Sequence, residues 1–94
     1  QFMTAEERLT ILKHDLQRPS SVQDTYLSAL INQAMDLMYR EGIIDDGTMD
    51  YDMAVIDYAS FLFRKRHDPN MAMSRFLRYE LNNLLFSQKL KGES

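Results

Sequence analysis

The sequence contains no cysteine, two prolines and three glycines among its 94 residues. Without cysteine there are no disulfides, no thiolate metal sites and no thiol nucleophile, a composition that fits a reducing compartment. The glycines stand apart at positions 42, 47 and 92, so no glycine-rich phosphate loop exists. No apolar run approaches the ~20 residues that cross a bilayer, and no signal-peptide pattern opens the chain. Gln1 and Phe2 read as remnants ahead of a natural start at Met3, which makes 3–91 the expected domain. β-Branched residues never alternate with polar ones between turn signals, so no strand is expected. Internal repeats and low-complexity tracts are missing as well.

What is present suits a globular domain. Hydrophobic residues make up 45% and charged residues 27%, which excludes wholesale disorder. A chain of this length buries roughly 60–65% of its unfolded surface, enough for a core but not for a deep enclosed cleft. The expected protein is soluble and cytosolic when made.

Punctuation divides the chain into four helical stretches. Thr4 and Glu7 form a capping-box pattern, in which hydroxyl and carboxylate satisfy N–H groups at a helix start. Leu9, Leu12 and Leu16 follow at helical spacing until Arg18-Pro19 stops the run. Ser20 and Gln23 form a second such pattern, opening a helix with apolar positions at Tyr26, Leu27, Leu30, Ile31, Ala34, Leu37 and Met38. Gly42 ends it, as a residue that tolerates a left-handed backbone. After a loop over Ile43–Gly47, Thr48 or Asp50 starts the third helix, with Asp50 and Asp52 near its positive end. Arg64, Lys65, Arg66 and His67 suit its negative end, and Asp68-Pro69 breaks it and is placed to cap the fourth. The expected fold is all-α, a single compact domain of four helices.

The last helical stretch is the most informative. At about 100° per residue, Met73, Leu77, Leu81, Leu84 and Leu85 share one arc. Phe76, Tyr79, Phe86 and Leu90 share another, roughly opposite. Arg75, Arg78 and Lys89, with Asn82 among them, lie between the two. One apolar stripe closes a small core; the second, aromatic stripe requires more of this chain or another chain to cover it. The third helix also has two apolar faces, Met49, Met53, Ile56, Ala59 and Phe63 against Tyr51, Val55, Tyr58 and Leu62. That pattern describes a central helix wrapped by the others, or one with a face left for a partner.

Charge is segregated behind a net value of −3. From Asp36 to Asp57 seven acids face Arg40 alone, whereas from Arg64 to Lys91 seven bases face Asp68 and Glu80. Such segregation describes either a solvated face or head-to-tail association of an acidic end with a basic one, where complementary patches set orientation and on-rate.

Chemistry finds little purchase. His14 and His67 lack metal-ligand spacing to an acid and suit helix-end or solvent positions. A calcium loop with Gly47 as its sixth residue would need acids where Gly42 and Ile44 stand, so the loop acids read as a solvated turn. The serines have no histidine-based activation pattern. These features describe a non-enzyme, with no cofactor and no metal. A small helical nucleic-acid-binding regulator acting through the basic fourth helix is the alternative. Against it stand a pI near 5.2 and a basic strip only three residues wide.

Four segments, in order and spanning nearly the whole chain, carry a resemblance. They are LTILKHDLQ (Leu9–Gln17), DTYLSALINQAMDLMYREGI (Asp24–Ile43), VIDYASFLFRKR (Val55–Arg66) and MSRFLRYELNNLLFSQK (Met73–Lys89). Together they resemble the small helical head–tail connector (head-completion, "DNA packaging") proteins of long-tailed phages and Gram-positive prophages. The Leu-Arg…Leu-Asn-Asn…Phe-Ser-Gln-Lys run is the most specific, because helix formation does not dictate it. Ser74 stands where the family often has proline, and Phe61-Leu62-Phe63 replaces a tyrosine-containing version.

The resemblance implies a structural protein. Its copies would assemble as a ring, dodecameric on the portal, after DNA packaging, and dock the next neck (stopper) or tail protein. It implies the host cytoplasm during assembly and then the virion head–tail junction, with no membrane and no sequence-specific nucleic acid. A ring needs two different patches on one subunit. Arg75, Phe76, Arg78, Tyr79, Asn82, Phe86 and Lys89 are the expected first patch. Asp45, Asp50 and Asp57, on an acidic face of the second and third helices, are the expected second.

Overall fold

The computed structural model describes residues 2–18 and 20–93, apart from the side chain of Glu93. Four α-helices form, α1 (Ala5–Leu16), α2 (Asp24–Arg40), α3 (Met49–His67) and α4 (Arg75–Glu93), with no strand among the described residues. The chain is one all-α domain. None of these helices is long and apolar enough to cross a membrane.

The helix boundaries follow local chemistry. Thr4 and Glu7 form the expected capping box: the Glu7 N–H donates to Thr4 Oγ1 at 3.1 Å and the Thr4 N–H to Glu7 Oε1 at 2.8 Å. The stop at Arg18-Pro19 falls partly on Pro19, which lies outside the described residues. α1 ends at Gln17, whose φ of 56° is left-handed. The Arg18 N–H then reaches back to the Lys13 carbonyl at 2.9 Å. The second expected capping box does not form. Ser20 Oγ accepts from the Val22 N–H at 3.2 Å and caps a single 3₁₀ turn, Ser21–Gln23, so α2 begins at Asp24 without a side-chain cap. Gly42 ends α2 as expected, at φ 97°. The Ile43 N–H returns to the Met38 carbonyl and the Gly42 N–H to that of Tyr39, both at 2.9 Å. Ile43 is thereby turned fully into the core.

Thr48 caps α3, with its Oγ1 accepting from the Tyr51 N–H at 3.1 Å. The start of α4 is corrected. Asp68 is the C-cap of α3 and does not cap α4; Pro69-Asn70 form a turn in which the Met71 N–H returns to the Asp68 carbonyl at 2.9 Å, and Ser74 Oγ accepts from the Leu77 N–H at 3.1 Å. Serine captures a helical N–H, while proline only pre-sets φ, so the helix starts where the donor is satisfied.

α3 is the central helix. It packs against α1, α2 and α4, whereas α4 packs chiefly on α3 alone. Tyr51, Ala54, Val55, Ile56, Tyr58, Ala59 and Phe63 are all buried, and Leu12, Leu27, Ala34, Met38 and Leu81 complete the core around them. The two apolar faces of α3 are therefore mostly consumed internally. Only its first turns remain open, with Met49 64% and Met53 38% exposed. Each fully buried leucine contributes about 1.5–3 kcal/mol, which is why α3 can hold three helices in so short a chain.

One polar cluster lies inside this core. Arg8 on α1 and Asp52 on α3 are both buried. Arg8 Nε donates to Asp52 Oδ1 at 3.0 Å, and the guanidinium reaches Asp45 Oδ2, in the α2–α3 loop, at 2.9 Å. Burial alone would favour the neutral form of Arg8, but the two carboxylates outweigh it and raise its pKa further. The same guanidinium lies 6.0 Å from the centre of the Tyr51 ring. Burial, then the nearby Asp45 charge, pushes that phenol up to about 12.

Candidate interaction surface

α4 lays its two stripes on opposite sides. Leu77, Leu81 and Leu84 are buried against α3, while Phe76 is 73%, Phe86 64%, Tyr79 58% and Leu90 53% exposed. The angular separation in the sequence thus becomes a physical one, an aromatic ridge facing directly away from the core. Burying those rings inside the chain would require a fifth helix, and none forms among the described residues.

The charged neighbours of the ridge behave differently from one another. Arg75, Asn82 and Lys89 are exposed. Arg75 and Lys89 have no ion-pair partner among the described residues. Arg78 is turned inward: its guanidinium pairs with Glu41 at the end of α2, tying α4 to that helix. Gln88 makes a second tie. Its Oε1 accepts from the Ile44 N–H at 2.9 Å, and its Nε2 donates to the Ile44 carbonyl at 2.7 Å and to Asp46 Oδ2 at 3.1 Å. Partial burial opposes ionisation of Asp46, but hydrogen bonds from Thr48 and Gln88 win and hold its carboxyl below the ordinary value. α4 is therefore fastened at its buried edge and presents the ridge as a rigid element.

Of the three expected acids, Asp50 and Asp57 lie on one side of α3, both acting on Glu80, whereas Asp45 is used elsewhere. Asp45 is engaged by Arg8 and also accepts from the Gly47 N–H at 3.1 Å, so it is a structural residue of the loop. Asp57 is half-buried and faces Glu80 across the α3–α4 seam. Burial, then the hydrogen bond and charge of Asp57, then the charge of Asp50, push the Glu80 carboxyl up to about 7. Two carboxyls so placed share a hydrogen bond only when one carries a proton. When both are ionised, the buried Glu80 Oε1 has no donor. Asp50 remains exposed at the start of α3, beside Met49 and Met53.

Other polar groups have structural partners. His67 packs edge-on against Phe63 with ring centres 5.3 Å apart, and Lys13 pairs with Asp24 at 2.9 Å. His14 lines an open hollow with Thr10, Lys13, Gln17 and Arg18. Among the described residues no three His, Cys, Asp or Glu side chains are grouped to hold a metal ion.

The sequence reasoning missed Arg8, Asp52 and Glu80. Arg8 stands one turn before Leu12 on the apolar arc of α1, and Asp52 precedes Ile56 by the same interval on α3. Two opposite charges on core-facing arcs of different helices were the available signal for a buried pair. Glu80, between Leu77 and Leu84 on the inner side of α4, gave a similar sign. Comparison with known proteins adds no relative: no family model, curated protein or solved structure matches this chain.

Proposed function

We propose that the chain is a structural assembly subunit that works by protein–protein contact, similar to the head–tail connector proteins its sequence resembles. It forms a ring under a portal after DNA packaging and offers a docking surface to the next neck or tail component. The observation that carries this reading is the aromatic ridge of α4. A small helical domain gains nothing for its own stability from Phe76, Tyr79, Phe86 and Leu90 in water, and large apolar side chains exposed together on one side of a helix mark a contact site. Aromatic and arginine side chains are also those that anchor protein interfaces.

The nucleic-acid alternative draws less support. With Arg78 committed to Glu41, the strip beside the ridge retains two unpartnered cations, Arg75 and Lys89, and the ridge between a helix and a phosphate backbone would remain in water. The test is mass measurement across a concentration series, with and without a portal protein. A ring or a portal complex is the expected product. A chain that stays a single copy in both, yet shifts duplex DNA with a steep salt dependence, would replace this reading with the other.

A further inference from the structure

The ridge has a counterpart on the same molecule. Where α4 crosses α3, two depressions lie end to end. One, of about 420 Å³, is lined by Asp50, Met53, Glu80, Asn83, Leu84 and Ser87. The other, of about 310 Å³, runs from Asp57 and Ser60 to Asp15, Arg64 and Phe76. Asp57 of one contacts Glu80 of the other, and together they make a seam in which four acids, Asp15, Asp50, Asp57 and Glu80, outnumber the one cation, Arg64, among apolar and small polar side chains. Two polar atoms in it lack hydrogen-bond partners, Ser60 Oγ and Glu80 Oε1. Asp50 has no ion pair among the described residues, and Asp15 is held loosely, 3.9 Å from Arg64.

Building on the assembly reading, we infer that the aromatic ridge of α4 in one copy docks on the α3–α4 seam of the next, with Arg75 and Lys89 meeting the acids at the two ends of that seam. Three observations fit a second copy to this place. The ridge is apolar with basic ends, and the seam carries four acids against one cation, with Asp50 at one end and Asp15 beside Arg64 at the other. Their lengths agree: Arg75 and Lys89 lie about four helical turns apart, roughly 21 Å, and so do Asp50 and Arg64, beside which Asp15 stands. Finally, two ridges cannot pair with each other. An antiparallel pair sets Arg75 against Lys89, and a parallel pair sets each cation against its own copy, so like charges are juxtaposed either way. Ridge on seam joins two patches that share only the edge residue Phe76, and so propagates head to tail, as a ring requires.

A charge exchange tests this. One variant carries Arg75→Glu with Lys89→Glu, the other Asp15→Lys with Asp50→Lys; all four positions are exposed and outside the core. Each variant alone brings like charges to its own contact, and sedimentation at ~0.1 M salt should show loss of the assembly formed by the unaltered chain. Mixed one to one, the two restore opposite charges at both contacts, and assembly should return. Recovery in the mixture also shows that both variants fold. If the unaltered chain assembles but the variants assemble equally well, or the mixture fails to recover, the ridge–seam contact is wrong while self-assembly stands. If the unaltered chain remains a single copy up to millimolar concentration, the ridge–seam contact falls, while the ring reading is decided separately by the measurement with a portal protein.

Discussion

Replacing Arg8 with alanine should be among the most damaging single changes in this protein. The side chain is 8% exposed and its partner Asp52 4% exposed, so both charges have left water to meet each other. Removing only the cation leaves Asp52 buried without a counter-ion and Asp45 with the Gly47 N–H as its donor but no cation. Breaking a buried pair from one side costs about 3–5 kcal/mol, far more than the ~0–1 kcal/mol of an exposed pair. The lost guanidinium contacts, with the Met35 sulfur at 3.6 Å and over the Tyr51 ring, add to it. Domains of this size are stable by about 5–15 kcal/mol, so the change consumes a large share of the total and lowers the melting temperature by roughly 12 °C or more. Urea unfolding followed by circular dichroism measures it, with Arg40→Ala as the comparison, because the Arg40–Asp36 pair is exposed on both sides. Replacing both partners, Arg8→Met with Asp52→Leu, should recover most of the loss, since well-packed apolar groups often replace a buried pair at little cost. If Arg8→Ala costs under ~1 kcal/mol, the pair is solvated and the description of the α1–α3 contact is wrong.

Glu80→Gln should make stability less dependent on pH. The folded-state carboxyl, raised to about 7 from an ordinary value of 4.5, binds its proton more tightly than in the unfolded chain. Stability from this group is therefore full below pH ~4.5 and falls as pH rises toward ~7. Discounted for partial solvent exposure, the gain in the glutamine variant at pH 8 is about 1–2 kcal/mol, vanishing at pH 4; a gain equal at both values would refute the linkage. Gly42→Ala should cost about 1–2 kcal/mol, because its φ of 97° is strained for any side chain even though the new Cβ would meet Leu85 Cδ1 only at van der Waals distance, 3.4 Å; thermal melts decide it. Gln88→Ala should leave the helices intact but release the Ile44 backbone, visible as faster amide exchange at Ile44; unchanged protection there would mean that the side chain is not the clamp.

The helices were legible because their signals are local. Capping at Thr4 and Thr48, the left-handed glycine at 42 and the spacing of Leu77, Leu81 and Leu84 each act within one or two turns, and each formed as read. Ser20 and Pro69 misled for the same reason. Both are good helix starters, but an adjacent 3₁₀ turn and the hydroxyl of Ser74 provided better termini nearby. The outward direction of Phe76, Tyr79 and Phe86 was readable from angle alone, since buried leucines fix the opposite side. What local pattern could not convey was which charges would find each other across the fold. Arg78 reads as part of a basic strip until Glu41 is brought beside it, and Asp45 reads as surface acid until α1 delivers Arg8. The Asp57–Glu80 contact depends on how α4 crosses α3, a register that no spacing within either helix encodes.

The central claim is that α4 spends one stripe on the fold and the other on a neighbouring chain. Replacing Phe76, Tyr79 and Phe86 together with serine separates the two most directly, with urea unfolding and sedimentation run on the same sample. Unfolding free energy within ~0.5 kcal/mol per substitution of the original, together with loss of assembly, is the expected result. A drop of several kcal/mol in stability, or assembly that survives without the three rings, would contradict it.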